Sequence, residues 1–161
     1  MVTISVGDRI PSVTLMRMSA DGPRNVDTAG LFDNHRVALF GVPGAYTPVC
    51  SSQHLPGFVA GGKTLKEKGY DLIACVSIND PFVMQAWGDD QGAVDIEMLA
   101  DFRGEFTRAL GLLVDLSDFG LGERSERYSM IVEDGVVVAL NVESSVLEHG
   151  LSSCATLLTQ S

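Results

Sequence analysis

The feature that most restricts the fold is a pair of short apolar runs, Arg36 to Val42 and Tyr70 to Ile78, with a helical pattern between them. Neither run alternates between polar and apolar residues, and neither is long enough for a stable helix. That is how a strand buried on both faces reads. Two such strands joined by a helix fit neighbouring parallel strands of an α/β sheet. The intervening helix has its own signals. Thr47-Pro48 supplies an N-cap and a first-turn proline. Leu55, Phe58, Val59, Gly62 and Leu65 share one face, and Lys66, Lys68 and Gly69 close the helix. Pro56 lies inside the pattern and crowds the carbonyl of Ser52, which predicts a kink.

The same alternation continues along the chain. Pro81 opens a helix carrying Phe82, Val83, Ala86 and Trp87, with Asp80 or Asn79 as its cap, and Ile96–Leu99 reads as a short strand. Glu105–Leu110 reads as a short helix. Tyr128–Glu133 and Val136–Val142 flank Asp134-Gly135, a two-residue hairpin signal. Ser152 is expected to cap a last helix from Ser153 to Leu158. Near the start, Ile10–Met16 reads as a strand and Ser19–Arg24 as a turn. The order implies an α/β fold with a central mixed sheet and helices on both faces. In 161 residues without linker, repeat or low-complexity run, a single domain spanning residues 1–161 is expected.

A net charge of −10 argues against nucleic acid or an anionic membrane as partner, since both require a basic surface. The start, Met1 to Asp8, lacks the basic and apolar regions of a secretory leader, and no apolar run could cross a bilayer. A cytoplasmic location is expected. A mature organelle protein would read the same way.

The three cysteines, Cys50, Cys75 and Cys154, form no C-x-x-C pair and no metal-ligand spacing, so neither a metal nor a structural disulfide framework is expected. Cys50 is third in a helix capped at Thr47. There the positive end of the helix dipole and unsatisfied amides favour thiolate over thiol. A thiolate is the nucleophile that opening a peroxide O–O bond needs, and it would be left as a sulfenic acid. The stretch Pro43-x-x-x-Thr47-x-x-Cys50 runs from a strand end into a helix, where open α/β sheets place their sites.

The segment from Pro43 to Phe58 (PGAYTPVCSSQHLPGF) resembles the peroxidatic segment of the peroxiredoxin-5, or type II, group. The similarity continues at Ala74–Val83 and Trp87, at Leu99–Asp101, at Arg127–Met130 and at Ala139–Glu143. It implies a thioredoxin-like fold and a thiol peroxidase acting on hydrogen peroxide and organic hydroperoxides, with no metal or organic cofactor. Cys50 is then the peroxidatic cysteine. Thr47 bonds the peroxide, Pro43 packs over the site, and Arg127 holds the thiolate and orients the peroxide. The amides of Val49 and Cys50 add donors. Taken alone, Arg127 reads as a surface strand arginine, as Arg124 does. The resemblance also implies a homodimer, and thioredoxin, glutaredoxin or glutathione as reductant.

Three routes remain open for the sulfenic acid. Cys154 resembles the C-terminal resolving cysteine of animal members, with one extra serine before it, and the loop Glu143–Ser153 with Gly150 as hinge is expected to let it approach. Cys75 matches a resolving position in plant members but sits in an apolar strand. In the third route no internal thiol resolves. His54, one turn beyond Cys50, reads as a packing or hydrogen-bonding histidine rather than a general base. Phe82 and Trp87 read as core or dimer-interface residues, and His35 and His149 have no evident chemical neighbours. The rival functions are a thioredoxin-type oxidoreductase, weakened by the missing C-x-x-C, and a non-enzymatic redox sensor or holdase.

Overall fold

The computed structural model describes residues 3–161. Met1 and Val2, part of the stretch read for a leader, lie outside the described residues. A seven-stranded sheet has the order β2 (Gly22–Asp27), β1 (Thr14–Ser19), β5 (Glu97–Ala100), β4 (Leu72–Ser77), β3 (Arg36–Gly41), β8 (Tyr128–Glu133), β9 (Val136–Val142). The two apolar runs pair in parallel from Val37↔Leu72 to Gly41↔Val76, and β5 continues the parallel set. β8 and β9 run antiparallel on one side, and the β1–β2 hairpin on the other.

β3 is buried on both faces, as its unbroken apolar run requires. Ala38 and Phe40 join a core with Phe58 and Leu65 of α2 (Leu55–Glu67), Trp87 of α3 (Pro81–Asp90) and Leu157 of α5 (Cys154–Thr159). Val37 and Leu39 join a second core with Phe32 of α1 (Thr28–Phe32) and with Phe106 and Leu110 of α4 (Glu105–Leu110). The sheet is therefore mixed, with helices on both faces, and the expected thioredoxin-like architecture holds.

Several boundaries differ from the sequence reading. The early strand lies at Thr14–Ser19 rather than Ile10–Met16. The expected turn at Ser19–Arg24 shrinks to Ala20-Asp21, because Gly22–Asp27 pairs with β1 as a polar, largely exposed edge strand that lacks the alternation by which strands are read. α1 and the small β6–β7 pair, Leu113–Asp115 and Glu123–Ser125, are too short to carry a period. Ser153, not Ser152, caps the last helix, accepting from Thr156 N at 3.1 Å. The Asp134-Gly135 hairpin forms as expected, with φ of 48° and 78°.

Candidate active site

The loop between β3 and the following helix is held by Asn79, two residues beyond the neighbouring parallel strand β4. Ala45 N donates to Asn79 Oδ1 at 2.9 Å, and Ser77 Oγ donates to the same oxygen at 2.7 Å. Tyr46 adopts a left-handed φ of 65°, and its phenol donates to Asp90 at 2.6 Å at the end of α3. The helix then starts at Pro48, with Ser51 N donating to Thr47 O at 3.0 Å. Thr47 therefore occupies the cap position through its backbone. Its hydroxyl does not cap the helix; it donates to Gly44 O at 2.7 Å, which leaves its lone pairs available as acceptors.

The kink expected at Pro56 takes the form of a π turn, Cys50–His54, closed by Leu55 N donating to Cys50 O. A proline offers no N–H to the Ser52 carbonyl and crowds it, so the helix widens just before the ring. Trp87 Nε1 ties this turn to α3 by donating to Ser51 Oγ at 3.0 Å. The turn begins and ends on fully buried side chains, Cys50 and His54.

Arg127, at the entrance to β8, bonds both. Its Nη2 donates to Cys50 Sγ at 3.1 Å and its Nη1 to His54 Nδ1 at 3.0 Å. Its Nε donates to the carbonyl of Val146 at 2.9 Å. A guanidinium can only donate, so His54 Nδ1 is the acceptor. The proton of neutral His54 then lies on Nε2, which donates to Ser152 O at 3.0 Å. Burial first, and the Arg127 charge second, push the His54 pKa down to about 3. This imidazole stays neutral at physiological pH with its acceptor nitrogen occupied, so it orients Arg127 and is no general base. Outside this pair, a cavity of about 410 Å³ opens between Pro43, Thr47, Val49, Phe119, Arg127 and Leu147. A buried sulfur beside a fixed guanidinium, under a mostly apolar cavity, suits a thiolate that attacks a small polar bond away from bulk water.

The Redoxin family model matches residues 5–158. Peroxiredoxin-2E-2 of Oryza sativa subsp. japonica, a chloroplastic protein, is 50% identical over 147 residues, covering 88% of this chain and 65% of its own length. Peroxiredoxin-2D of Arabidopsis thaliana is 44% identical over 160 residues, 98% of each chain. This chain belongs to the peroxiredoxins. Reduced Prx3 of Vibrio vulnificus in complex with H2O2 superposes with a TM-score of 0.94 at 46% identity, covering 98% of this chain and 99% of that one. The chain spans less than two thirds of the length of the chloroplastic relatives it matches.

In this peroxiredoxin neither of the other two cysteines lines the cavity, although both belong to the same core as Cys50. Cys75 lies in β4, fully buried between Phe40 and Met98 on the adjacent strands, and burial pushes its thiol well up. Cys154 opens α5 with its Sγ packed against Gly61 of α2, so tightly that a Cβ at residue 61 would overlap it. Burial pushes its thiol up to about 11. All three cysteines are free. The loop expected to carry Cys154 toward Cys50 is pinned at Val146 and Ser152.

Thr47, Pro43 and Arg127 line the cavity, Arg127 bonds Cys50 behind it, and further groups that the sequence did not imply surround them. Arg124 is no surface residue: it is half-buried beside Gly44 and donates to the carbonyls of Ile78 and Leu121, both at 2.9 Å. His149 packs edge-on against His54, with ring centroids 5.5 Å apart. Trp87 is core, whereas Phe82 is exposed. The Val146 and Ser152 carbonyls carry no sequence signal, because any residue supplies one. Glu143 did carry a signal, as the end of a segment shared with the family.

Proposed function

We propose that this chain is a thiol-dependent peroxidase with Cys50 as its nucleophile. The observation that carries the reading is Arg127 Nη2 at 3.1 Å from the buried Cys50 Sγ, beneath a cavity that Thr47 and Pro43 line. The thiolate attacks the nearer oxygen of a hydroperoxide. An S–O bond forms, the O–O bond breaks, and the departing alkoxide or hydroxide takes a proton to leave as alcohol or water. Arg127 stabilises the charge moving from sulfur to oxygen. The Thr47 hydroxyl, already donating to Gly44 O, accepts from the peroxide O–H, and Pro43 screens the sulfur from water. Hydrogen peroxide and organic hydroperoxides are both substrates. The first is the ligand of the Vibrio vulnificus relative, and the apolar cavity wall accommodates the carbon chain of the second.

The sulfenic acid is reduced from outside the chain. One external thiol condenses with it to a mixed disulfide and water, and a second releases the Cys50 thiol and an oxidised disulfide. Glutathione, glutaredoxin or thioredoxin has the required chemistry. What supports this route over Cys154 or Cys75 is the inward, desolvated placement of both thiols. A reducing aqueous compartment, cytosolic or organellar, fits, and no helix among the described residues is long and apolar enough to cross a membrane. Exposed Phe119 and Leu147 at the cavity rim favour a homodimer through this face.

Thiol-dependent peroxide consumption tests the reading: turnover is expected in the native chain and none in Cys50→Ser. Full turnover in Cys50→Ser would end it. After one equivalent of peroxide and one equivalent of glutathione, the Cys50 peptide is expected to gain one glutathione by mass. A Cys50–Cys154 peptide in its place would make Cys154 the resolving thiol.

A further inference from the structure

Glu143 directly follows β9, in a position that an exposed strand end does not require. Its side chain is buried, it has no ion pair among the described residues, and its Oε2 accepts from both the amide of Ser152 at 2.5 Å and the hydroxyl of Ser152 at 2.6 Å. Burying a carboxylate is costly unless its bonds are charge-assisted and well placed. Both bonds fall on one residue, at the far end of a mostly exposed strap, residues 143–152.

The partners of that strap form a closed ring. Glu143 N donates to Arg127 O at 2.9 Å, and the Glu143 carboxylate holds Ser152. The Ser152 carbonyl accepts from His54 Nε2, and His54 Nδ1 accepts from Arg127 Nη1. Midway along the strap, the Val146 carbonyl accepts from Arg127 Nε. Two of the three guanidinium nitrogens are thus oriented by groups whose placement depends on the strap being shut, and the third points at Cys50 Sγ. A guanidinium on a long side chain has no fixed direction unless such acceptors supply it.

We propose that Glu143 is a positioning residue for the peroxide-opening step: by clasping Ser152 it shuts the 143–152 strap, and the shut strap aims Arg127 Nη2 at Cys50. This rests on the reading of Cys50 and Arg127 as the reacting pair. Glu143 never meets the peroxide; it acts through the Ser152 and Val146 carbonyls. A clasp of this kind needs an acceptor oxygen at residue 143. A glutamine keeps one, and an alanine does not.

The test uses the full chain with Glu143→Ala, Glu143→Gln and Ser152→Ala. Two quantities are read: the single-turnover rate of Cys50 oxidation by hydrogen peroxide, and the pH profile of Cys50 alkylation by iodoacetamide. Circular dichroism confirms folding. Glu143→Ala is expected to slow oxidation about 10- to 100-fold, the loss that a misplacement of about 1 Å produces. Its alkylation profile should move to higher pH, because the cation beside the sulfur is no longer held. Glu143→Gln should stay within about threefold of the native rate, since its amide oxygen still accepts from Ser152. A residue serving only the fold would move neither reading in chains that remain folded. If Glu143→Ala does not fold, Ser152→Ala removes one of the two clasp bonds and should shift both readings in the same direction by less. The proposal is overturned if the folded variants keep the native rate and profile, or if Glu143→Gln loses as much as Glu143→Ala. Failure of the underlying reading is separate: it appears as turnover retained in Cys50→Ser.

Discussion

Acidification should destabilise this protein through His54, by an amount that follows from its burial. The folded imidazole has a pKa of about 3, against 6.5 for the free side chain. Between those values the unfolded chain binds a proton that the folded chain does not, so stability rises with pH across the window and is lost as pH falls. From pH 7 to pH 5, still above the folded pKa, this linkage removes about 2 kcal/mol. That is a large part of the ordinary stability of a domain. The partners explain the size: protonating Nδ1 would break its bond from Arg127 and place two cations side by side with no water to screen them. Urea unfolding followed by circular dichroism, at pH 7 and at pH 5, measures the loss. His54→Gln is the control, because its amide can accept from Arg127 and donate to Ser152 without titrating. Carboxylates and His149 titrate in both chains and cancel in the difference. The native chain should lose about 2 kcal/mol more than His54→Gln over this interval. Equal losses would mean that His54 is hydrated and protonated in the fold, and the assignment of its tautomer would fall with it.

Arg127→Lys keeps the charge but gathers its donors on one nitrogen that cannot span the three separated acceptors, so Cys50 oxidation in stopped-flow should slow about 10²- to 10³-fold; a rate near native would show that charge alone suffices. Thr47→Val should lower the peroxide rate about tenfold or more through the lost hydroxyl, whereas Thr47→Ser should stay within a few-fold. Gly61→Ala should destabilise the fold by about 1–3 kcal/mol in urea, despite the better helix propensity of alanine, because its Cβ would overlap Cys154 Sγ. Adding Cys154→Ala should restore most of that loss, and a stabilised Gly61→Ala would show that the thiol points elsewhere.

The central strands were legible because burial on both faces leaves an unbroken apolar run, as at Arg36–Gly41 and Leu72–Ser77. The Asp134-Gly135 turn was legible because few residue pairs tolerate two positive φ values. The polar edge strand Gly22–Asp27 was not, since its pairing is a backbone property that its side chains do not announce. The active site divides in the same way. Cys50, Thr47 and Pro43 lie in one contiguous segment with helix-start chemistry, so local sequence carries them. Arg127 is indistinguishable from Arg124 by neighbourhood alone, and only the resemblance separated the two. The acceptors that orient Arg127 are a carbonyl at Val146 and a histidine whose role depends on a carbonyl at Ser152. No local pattern encodes a contact made by the backbone of a distant loop.

Pro56 shows how a residue outside the chemistry can set its geometry. The helix that presents Cys50 must also present His54, because Arg127 bonds both from one side. Without an N–H at residue 56 the turn opens, and its closing bond runs from Leu55 N to Cys50 O. The widened turn therefore begins at the nucleophile and ends at the residue that orients the guanidinium. An undisturbed α-helix would bring the same two side chains one turn apart on a narrower cylinder, with the Cys50 carbonyl bonded to His54 N instead. The proline thus shapes the spacing between sulfur and imidazole that a single guanidinium spans, and the strap beyond Glu143 fixes the side from which it does so.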